Sequence, residues 1–383
     1  MKKEIFRKEE RTIPPISLLI KPASSNCNLR CKYCFYHAIA DSRTVKSYGM
    51  MTLETLEDIV KKTLEFADQF CNFAFQGGEP TLIGLDFYKK LIEFQVKHNT
   101  KKVKISNSIQ TNGTMINEEW AEFLYANNFL VGLSLDGNKD THDLMRFDAK
   151  HEGTFNSVMK TVALFDKNKV EYNILFVVNS TVARYITKIY NFFKKQNFKY
   201  LQFIPCLDPM NVSPGEQDYS LTPERFEYFL KTLFDLWYAD VMADNLISIR
   251  YFDNILSIML GYPPESCGMS GVCTCQFVIE ADGGVYPCDF YVNDDWYLGN
   301  ILETGYFELK HSGKCIEFED VSKHIDPKCK ECKWGYFCRG GCRRDREPFV
   351  EGKPGLNFLC TAFENFFEYS IPRFEEIARR IKK

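Results

Sequence analysis

Several things are missing from this chain. No run approaches the ~18 apolar residues of a membrane span, and the first segment, MKKEIFRKEERTIPP, is charged where a secretory leader needs an apolar core. Neither sign of charge is in excess: 48 basic against 51 acidic residues leave a formal net charge of -3, which argues against a broad electrostatic hold on a nucleic acid. The expectation is a soluble, cytoplasmic, globular protein with no membrane and no nucleic-acid partner. In that reducing compartment disulfides are disfavoured, so the 15 cysteines are read as metal-binding or redox groups. One more absence concerns them. The stretch SSNCNLRCKYCFYH holds Cys27, Cys31 and Cys34 and then no further thiol, and three thiolates are one short of a structural zinc or a complete four-cysteine iron-sulfur cluster.

What is present suggests one architecture. With 383 residues, 45% of them hydrophobic, the chain can bury a sizeable core and divide into two domains. Short β-branched or aromatic runs alternate with segments of helical period: ISLLI (16–20), NFAF (72–75), KISNSIQ (104–110), LVGLSLD (130–136), YNILFVV (172–178) and LQFIP (201–205). Six strand-helix units in succession imply an α/β fold with a parallel sheet, doubly wound or curled into a barrel. Leu56, Ile59, Val60 and Leu64 mark one helix, and Val158, Val162 and Phe165 mark another as core.

The unusual residues favour a partial (β/α)6 barrel. The cysteine triplet follows the first strand, QGGEP (76–80) the second and QTNG (110–113) the third, while SLDG (134–137) and Asn179-Ser180 end the fourth and fifth. Parallel barrels place their chemistry at these C-terminal strand ends. The expected divisions are a charged extension over 1–15, the barrel over 16–240, and a second domain over 241–383 ending in a helix. Ten cysteines fall between Cys267 and Cys360, including Gly283 and Cys288 in G-x4-C and Cys329, Cys332, Cys338 and Cys342 in C-x2-C-x5-C-x3-C. Two four-cysteine sites can be filled from these, with zinc or with iron-sulfur clusters, since C-x2-C pairs also build zinc ribbons.

The C-x3-C-x2-C spacing, with Tyr33 before its last cysteine and GGEP after strand two, resembles the radical S-adenosylmethionine (SAM) superfamily. That resemblance implies a [4Fe-4S] cluster on Cys27, Cys31 and Cys34 whose open iron takes the cofactor's amino and carboxylate groups and cleaves it to a 5'-deoxyadenosyl radical. It implies cofactor contacts from Tyr33, Gln76, Gly77, Gly78 and Glu79, from Ser134 and Asp136 to the ribose and from Leu207 to the adenine, with Arg146 a further candidate at the cofactor or substrate carboxylate. The cysteine-rich half resembles the SPASM domain, implying two auxiliary [4Fe-4S] clusters, one on Cys267, Cys273, Cys288 and Cys342 and one on Cys329, Cys332, Cys338 and Cys360. Cys71, Cys206, Cys275 and Cys315 receive no role.

KPASSNCNLRCKYCFYH, FAFQGGEPTL, SIQTNGT, VGLSLDG, SIRYFDN, CTCQFVIEADGGVYPCDFYV and CKWGYFCRGGCRR together resemble the anaerobic sulfatase-maturating enzymes, from about residue 16 to the C-terminus. The implied reaction oxidises a cysteine or serine in a C/S-x-P/A-x-R motif of an unfolded or nascent sulfatase to Cα-formylglycine. Asp289 would be the general base, with Tyr36 near the substrate, the auxiliary clusters would take the second electron, and a flavodoxin or ferredoxin would supply low-potential electrons. Two other readings are a SPASM maturase forming a thioether or crosslink on a ribosomal peptide, and a non-catalytic iron-sulfur or zinc scaffold. The scaffold predicts no cofactor cleavage; the peptide maturases often carry an N-terminal recognition domain of about 80 residues.

Overall fold

The computed structural model describes residues 15–210 and 212–382, so the expected N-terminal extension, apart from Pro15, lies outside the described residues. Six parallel strands run in chain order: β1 (Ile16–Ile20), β2 (Phe70–Phe75), β3 (Lys104–Thr111), β4 (Phe129–Ser134), β5 (Tyr172–Val178) and β6 (Tyr200–Pro205). Helices alternate with them, as the periodicity predicts. On the Leu53–Phe66 helix, Thr52 accepts from the Thr55 amide, Glu54 complements the positive N-terminus, and Leu56, Ile59, Val60 and Leu64 are buried. Val158, Val162 and Phe165 are buried on the Phe155–Asn168 helix.

The sheet continues past residue 240. It has ten strands in the order β10-β9-β8-β1-β2-β3-β4-β5-β6-β7, with β7 (Ser248–Ile249) on one edge and β8 (Val278–Ile279), β9 (Gly284–Tyr286) and β10 (Gly299–Asn300) beyond β1. β8 is parallel to β1, with Leu19 opposite Val278 and Ile20 opposite Ile279, whereas β8, β9 and β10 pair antiparallel. These added strands have only two or three residues each, too few to show the alternation that marks a strand in sequence. Gly283 makes the β8–β9 turn at φ +88, where a side chain would be strained. The glycine of G-x4-C thus turns the chain so that Cys288 follows β9.

The Cys360–Ile381 helix returns from the cysteine-rich half to pack on the Pro223–Met242 helix. Phe234 meets Phe374 at 4.7 Å between ring centroids, and Arg373 lies 4.6 Å over Phe234 while pairing with Asp235 at 2.8 Å. This aromatic seam ties the helix that begins at Cys360 to the barrel.

Candidate active site

At the end of β1 the chain leaves the sheet and carries Cys27, Cys31 and Cys34 before Cys34 caps the Phe35–Asp41 helix. The three thiols lie close enough for each ionisation to oppose the others, and burial pushes Cys27 up to about 11 and Cys31 up to about 12. Bare thiolates are therefore unfavourable here, and bound iron would supply the missing positive charge. One cation already stands by: Arg146 Nη1 is 4.0 Å from Cys31 Sγ.

The GGEP loop braces this segment through its backbone. The Gly78 amide donates to Ser24 O at 2.9 Å and the Glu79 amide to Asn26 O at 2.8 Å. A Cβ on Gly78 would lie 1.9 Å from the Asn26 carbonyl oxygen, a backbone atom that cannot swing aside. Gly78→Ala is accordingly expected to displace the cysteine loop at a cost of about 3 kcal/mol and to lower iron content by about four per chain. An alanine variant with native iron, measured by colorimetric assay, would contradict the close approach.

Glu79 and Asp136 are each held by several protein donors. The Glu79 carboxylate is buried and accepts from Thr81 N (3.1 Å), Thr81 Oγ1 (2.6 Å), Thr111 Oγ1 (2.7 Å) and Asn112 N (2.7 Å), so it joins the segment after β2 to the end of β3. Asp136 is fully buried. It accepts from Tyr33 OH, from Arg146 Nε at 2.9 Å and from Val177 N at 3.0 Å, while its own amide donates to His142 Nδ1 at 3.2 Å. Burial lowers His142 to about 4, which keeps that imidazole neutral and able to accept. Asp136 thus positions Tyr33 and Arg146 beside the cysteine loop, and of the two expected ribose contacts only Ser134, at the end of β4, is not so committed. Gly77, at φ +127, precedes Gly78 in the same loop. Leu207 lines a cavity after β6 that Arg344 and Phe358 close from the cysteine-rich half.

A second group of side chains gathers around Asp289, directly after Cys288. Tyr36 OH donates to Asp289 Oδ2 at 2.5 Å, and Gln76 Nε2 reaches both Tyr36 OH (2.6 Å) and Asp289 Oδ2 (3.1 Å). Asp289 Oδ1 is buried without a hydrogen-bond partner and has Lys21 Nζ at 3.7 Å. Burial raises the Asp289 carboxyl, and Lys21 opposes that shift. Lys21 also lies 3.8 Å from Glu280, which pairs with Arg43 at 2.6 Å, and 4.3 Å over the Tyr36 ring. Sequence reasoning missed Lys21, Glu280 and Arg43. Lys21 had a usable signal, since it is the first residue past β1 at the face where barrel chemistry collects.

The remaining expected ligands also converge. Cys267 and Cys288 are each within electrostatic reach of Cys273, of Cys342 and of each other, and Cys329, Cys332, Cys338 and Cys360 are all mutually so. The second four all line one cavity of about 390 Å³, which also contains Trp334, whose indole N–H is buried without an acceptor. Among the described residues no three such side chains converge closely enough for one metal ion; an iron-sulfur cluster spreads its thiolates more widely. Room for a multi-atom group and an unmatched donor fit a cluster whose sulfurs accept hydrogen bonds. Cys275 instead meets Cys315. Cys275→Ala should therefore keep full iron and activity while Cys273→Ala loses a cluster; equal iron loss from both would refute this grouping.

Residues 22–192 match the Radical SAM superfamily, and residues 267–333 match the SPASM iron-sulfur cluster-binding domain. The chain is 54% identical over 370 residues to a cysteine-type anaerobic sulfatase-maturating enzyme of Clostridium perfringens, covering 97% of this chain and 100% of that one. The chain belongs to the anaerobic sulfatase-maturating enzymes. A serine-type sulfatase-maturating enzyme of Bacteroides thetaiotaomicron is 33% identical, with 96% of this chain and 92% of that one covered. Among solved structures, native anSMEcpe with bound AdoMet and Cp18Cys peptide superposes with a TM-score of 0.93 at 53% identity, covering 96% of this chain and 100% of that one. As a sulfatase-maturating radical SAM enzyme with a SPASM domain, the chain has S-adenosyl-L-methionine and three [4Fe-4S] clusters as cofactors. No helix among its described residues is long and apolar enough to cross a membrane.

Proposed function

We propose that this sulfatase-maturating enzyme is cysteine-type, oxidising the cysteine of a C-x-P/A-x-R motif in an unfolded or nascent sulfatase to Cα-formylglycine, with serine in that position a poorer target. Identity of 54% to a cysteine-type relative against 33% to a serine-type one supports the preference. The observation that carries the reaction is Asp289: a buried carboxylate with one oxygen held by Tyr36 and Gln76 and the other without a hydrogen-bond partner. In this reading residues 16–240 carry the radical site and residues 241–383 the auxiliary sites, in the cytoplasm, with a flavodoxin or ferredoxin as electron source.

When bound, the cluster at Cys27, Cys31 and Cys34 with S-adenosylmethionine supplies a hydrogen-abstracting radical, and the auxiliary clusters supply an electron sink. The chain's own groups do the rest. Tyr33, Ser134, Arg146 and Leu207 hold the cofactor side of the cavity, supported by Asp136, and the GGEP backbone holds the cysteine loop. Asp289 Oδ1 takes the thiol proton, Tyr36 and Gln76 keep that carboxylate aimed, and Lys21 favours its anionic form. Loss of a hydrogen atom, a proton and a second electron turns –CH2–SH into a thioaldehyde, and water replaces its sulfur to leave the aldehyde and hydrogen sulfide.

Anaerobic incubation with peptides carrying C-x-P-x-R or S-x-P-x-R tests this by mass spectrometry. Cysteine conversion exchanges sulfur for oxygen and removes two hydrogens, whereas serine conversion removes two hydrogens only. Faster turnover of the serine peptide would reverse the assigned preference, and conversion of neither would sink the reading.

A further inference from the structure

The segment Arg343–Arg346 follows the ligand Cys342 and contains three arginines, all buried. Arg344 has a counter-ion, Glu347, at 3.3 Å. Arg343 and Arg346 are only 3% and 4% exposed and, among the described residues, form no ion pair. Their donors go to backbone carbonyls instead: Arg343 Nη1 to Phe318 O at 2.9 Å, and Arg346 Nη1 and Nη2 to His324 O and Ser322 O at 2.9 and 2.8 Å. Both Nε atoms are buried without an acceptor. The Arg343 guanidinium is boxed by rings, with centroids at 4.3 Å (Phe318), 4.7 Å (Trp296) and 4.8 Å (Tyr291). Ring faces and carbonyls soften the burial of a permanent cation but add no negative charge.

Neither arginine pairs with the neighbouring acids Asp345 and Glu347, the latter taken by Arg344 and by Tyr291 OH, and the thiols of the first auxiliary set are the further neighbours that could provide negative charge. Ser322 connects the two: its hydroxyl accepts from the Cys273 amide at 2.8 Å while its carbonyl accepts from Arg346. Arg343 directly follows Cys342 of the first set, and Arg346 Nη1 lies 3.5 Å from where a Cβ on Gly340 would stand, a residue that lines the cavity of the second set. Arg346 therefore stands between the two sets and Arg343 beside the first.

Resting on the cluster assignment made above, we propose that Arg343 and Arg346 are the fixed counter-charges of the auxiliary clusters, raising their reduction potentials so that they accept the substrate's second electron. That transfer breaks and forms no bond: the electron leaves the substrate radical, one negative charge arrives at the cluster, and a flavodoxin or ferredoxin in its oxidised form, left by its earlier donation, takes the electron back. Standing cations stabilise the reduced, more anionic cluster over the oxidised one without proton uptake. In this role the arginines act on the charge balance of the clusters and not on the reacting atoms of the substrate, so they are tuning residues.

EPR-monitored redox titration of the reconstituted full-length protein tests this. Arg343→Gln should keep wild-type iron and make reduction of one auxiliary couple about tenfold less favourable, a shift of ~59 mV to more negative potential. Arg346→Gln should move both auxiliary couples the same way, and lysine at either position should restore wild-type values. Unmoved potentials at full iron content overturn the inference. If a glutamine variant sheds iron, the lysine variants decide: full iron at wild-type potential supports the role of charge, whereas a shifted potential or lost iron assigns the arginines to packing and overturns it. A wild-type iron content near four per chain would refute the cluster assignment itself.

Discussion

Replacing Cys27, Cys31 and Cys34 together with alanine is expected to leave about eight of about twelve irons per chain and to abolish cleavage of S-adenosylmethionine. The three thiols lie on one loop at the end of β1, and the polar groups around them, Asn28, Asn112 and Arg146, include no substitute thiolate. The eight cysteines proposed as the other ligands belong to segments after residue 266, held by the β8–β10 strands, by aromatic packing around Arg343 and by the C-terminal helix on the barrel. Losing the first site therefore leaves the other two intact. Iron analysis combined with chromatographic detection of 5'-deoxyadenosine checks both halves. Residual 5'-deoxyadenosine would place the radical chemistry elsewhere, and iron well below eight would mean that the sites assemble as one unit.

Asp289→Asn should separate radical formation from product formation. Asparagine preserves shape and leaves Cys288 in place, so the variant is expected to retain its iron and to keep producing 5'-deoxyadenosine. The amide cannot take a thiol proton, so formylglycine should appear roughly 10²- to 10⁴-fold more slowly, the usual effect of removing a positioned base. Peptide mass spectrometry and cofactor-product quantification on the same samples read out both steps. Native-rate maturation would remove Asp289 from the mechanism. Loss of iron would make it a structural support of the Cys288 turn, a role its contacts with Tyr36, Gln76 and Lys21 would then serve.

Much of the site was legible because it rests on local spacing. The interval from Cys27 to Cys34 lies within one loop, and the six long strands announced themselves because an alternating or continuous apolar run needs only its own residues. The strands β7 to β10 were not legible, since two or three residues carry no period and their pairing depends on a partner elsewhere. Glu79 and Asp136 lie at the expected strand ends, but their protein partners, Thr81, Thr111 and Asn112 for one and Tyr33, Arg146 and Val177 for the other, were not legible. Motif position tells where a side chain starts, and whether it then meets a ligand or the next loop depends on which donors that loop presents.

Sequence alone determined the strand-helix alternation, the three cysteine groups and the kinship to radical SAM enzymes, because each is written in short intervals along the chain. Tertiary structure decided the surroundings of Asp289. Pairing of β8 with β1 in the register Ile20 opposite Ile279 sets the next residues, Lys21 and Glu280, beside each other, and the β9 turn then delivers Asp289 to the same cation. Those partners are more than 250 residues apart in the chain, and only sheet register, a property of two strands and not of one, brings their charges within a few ångströms.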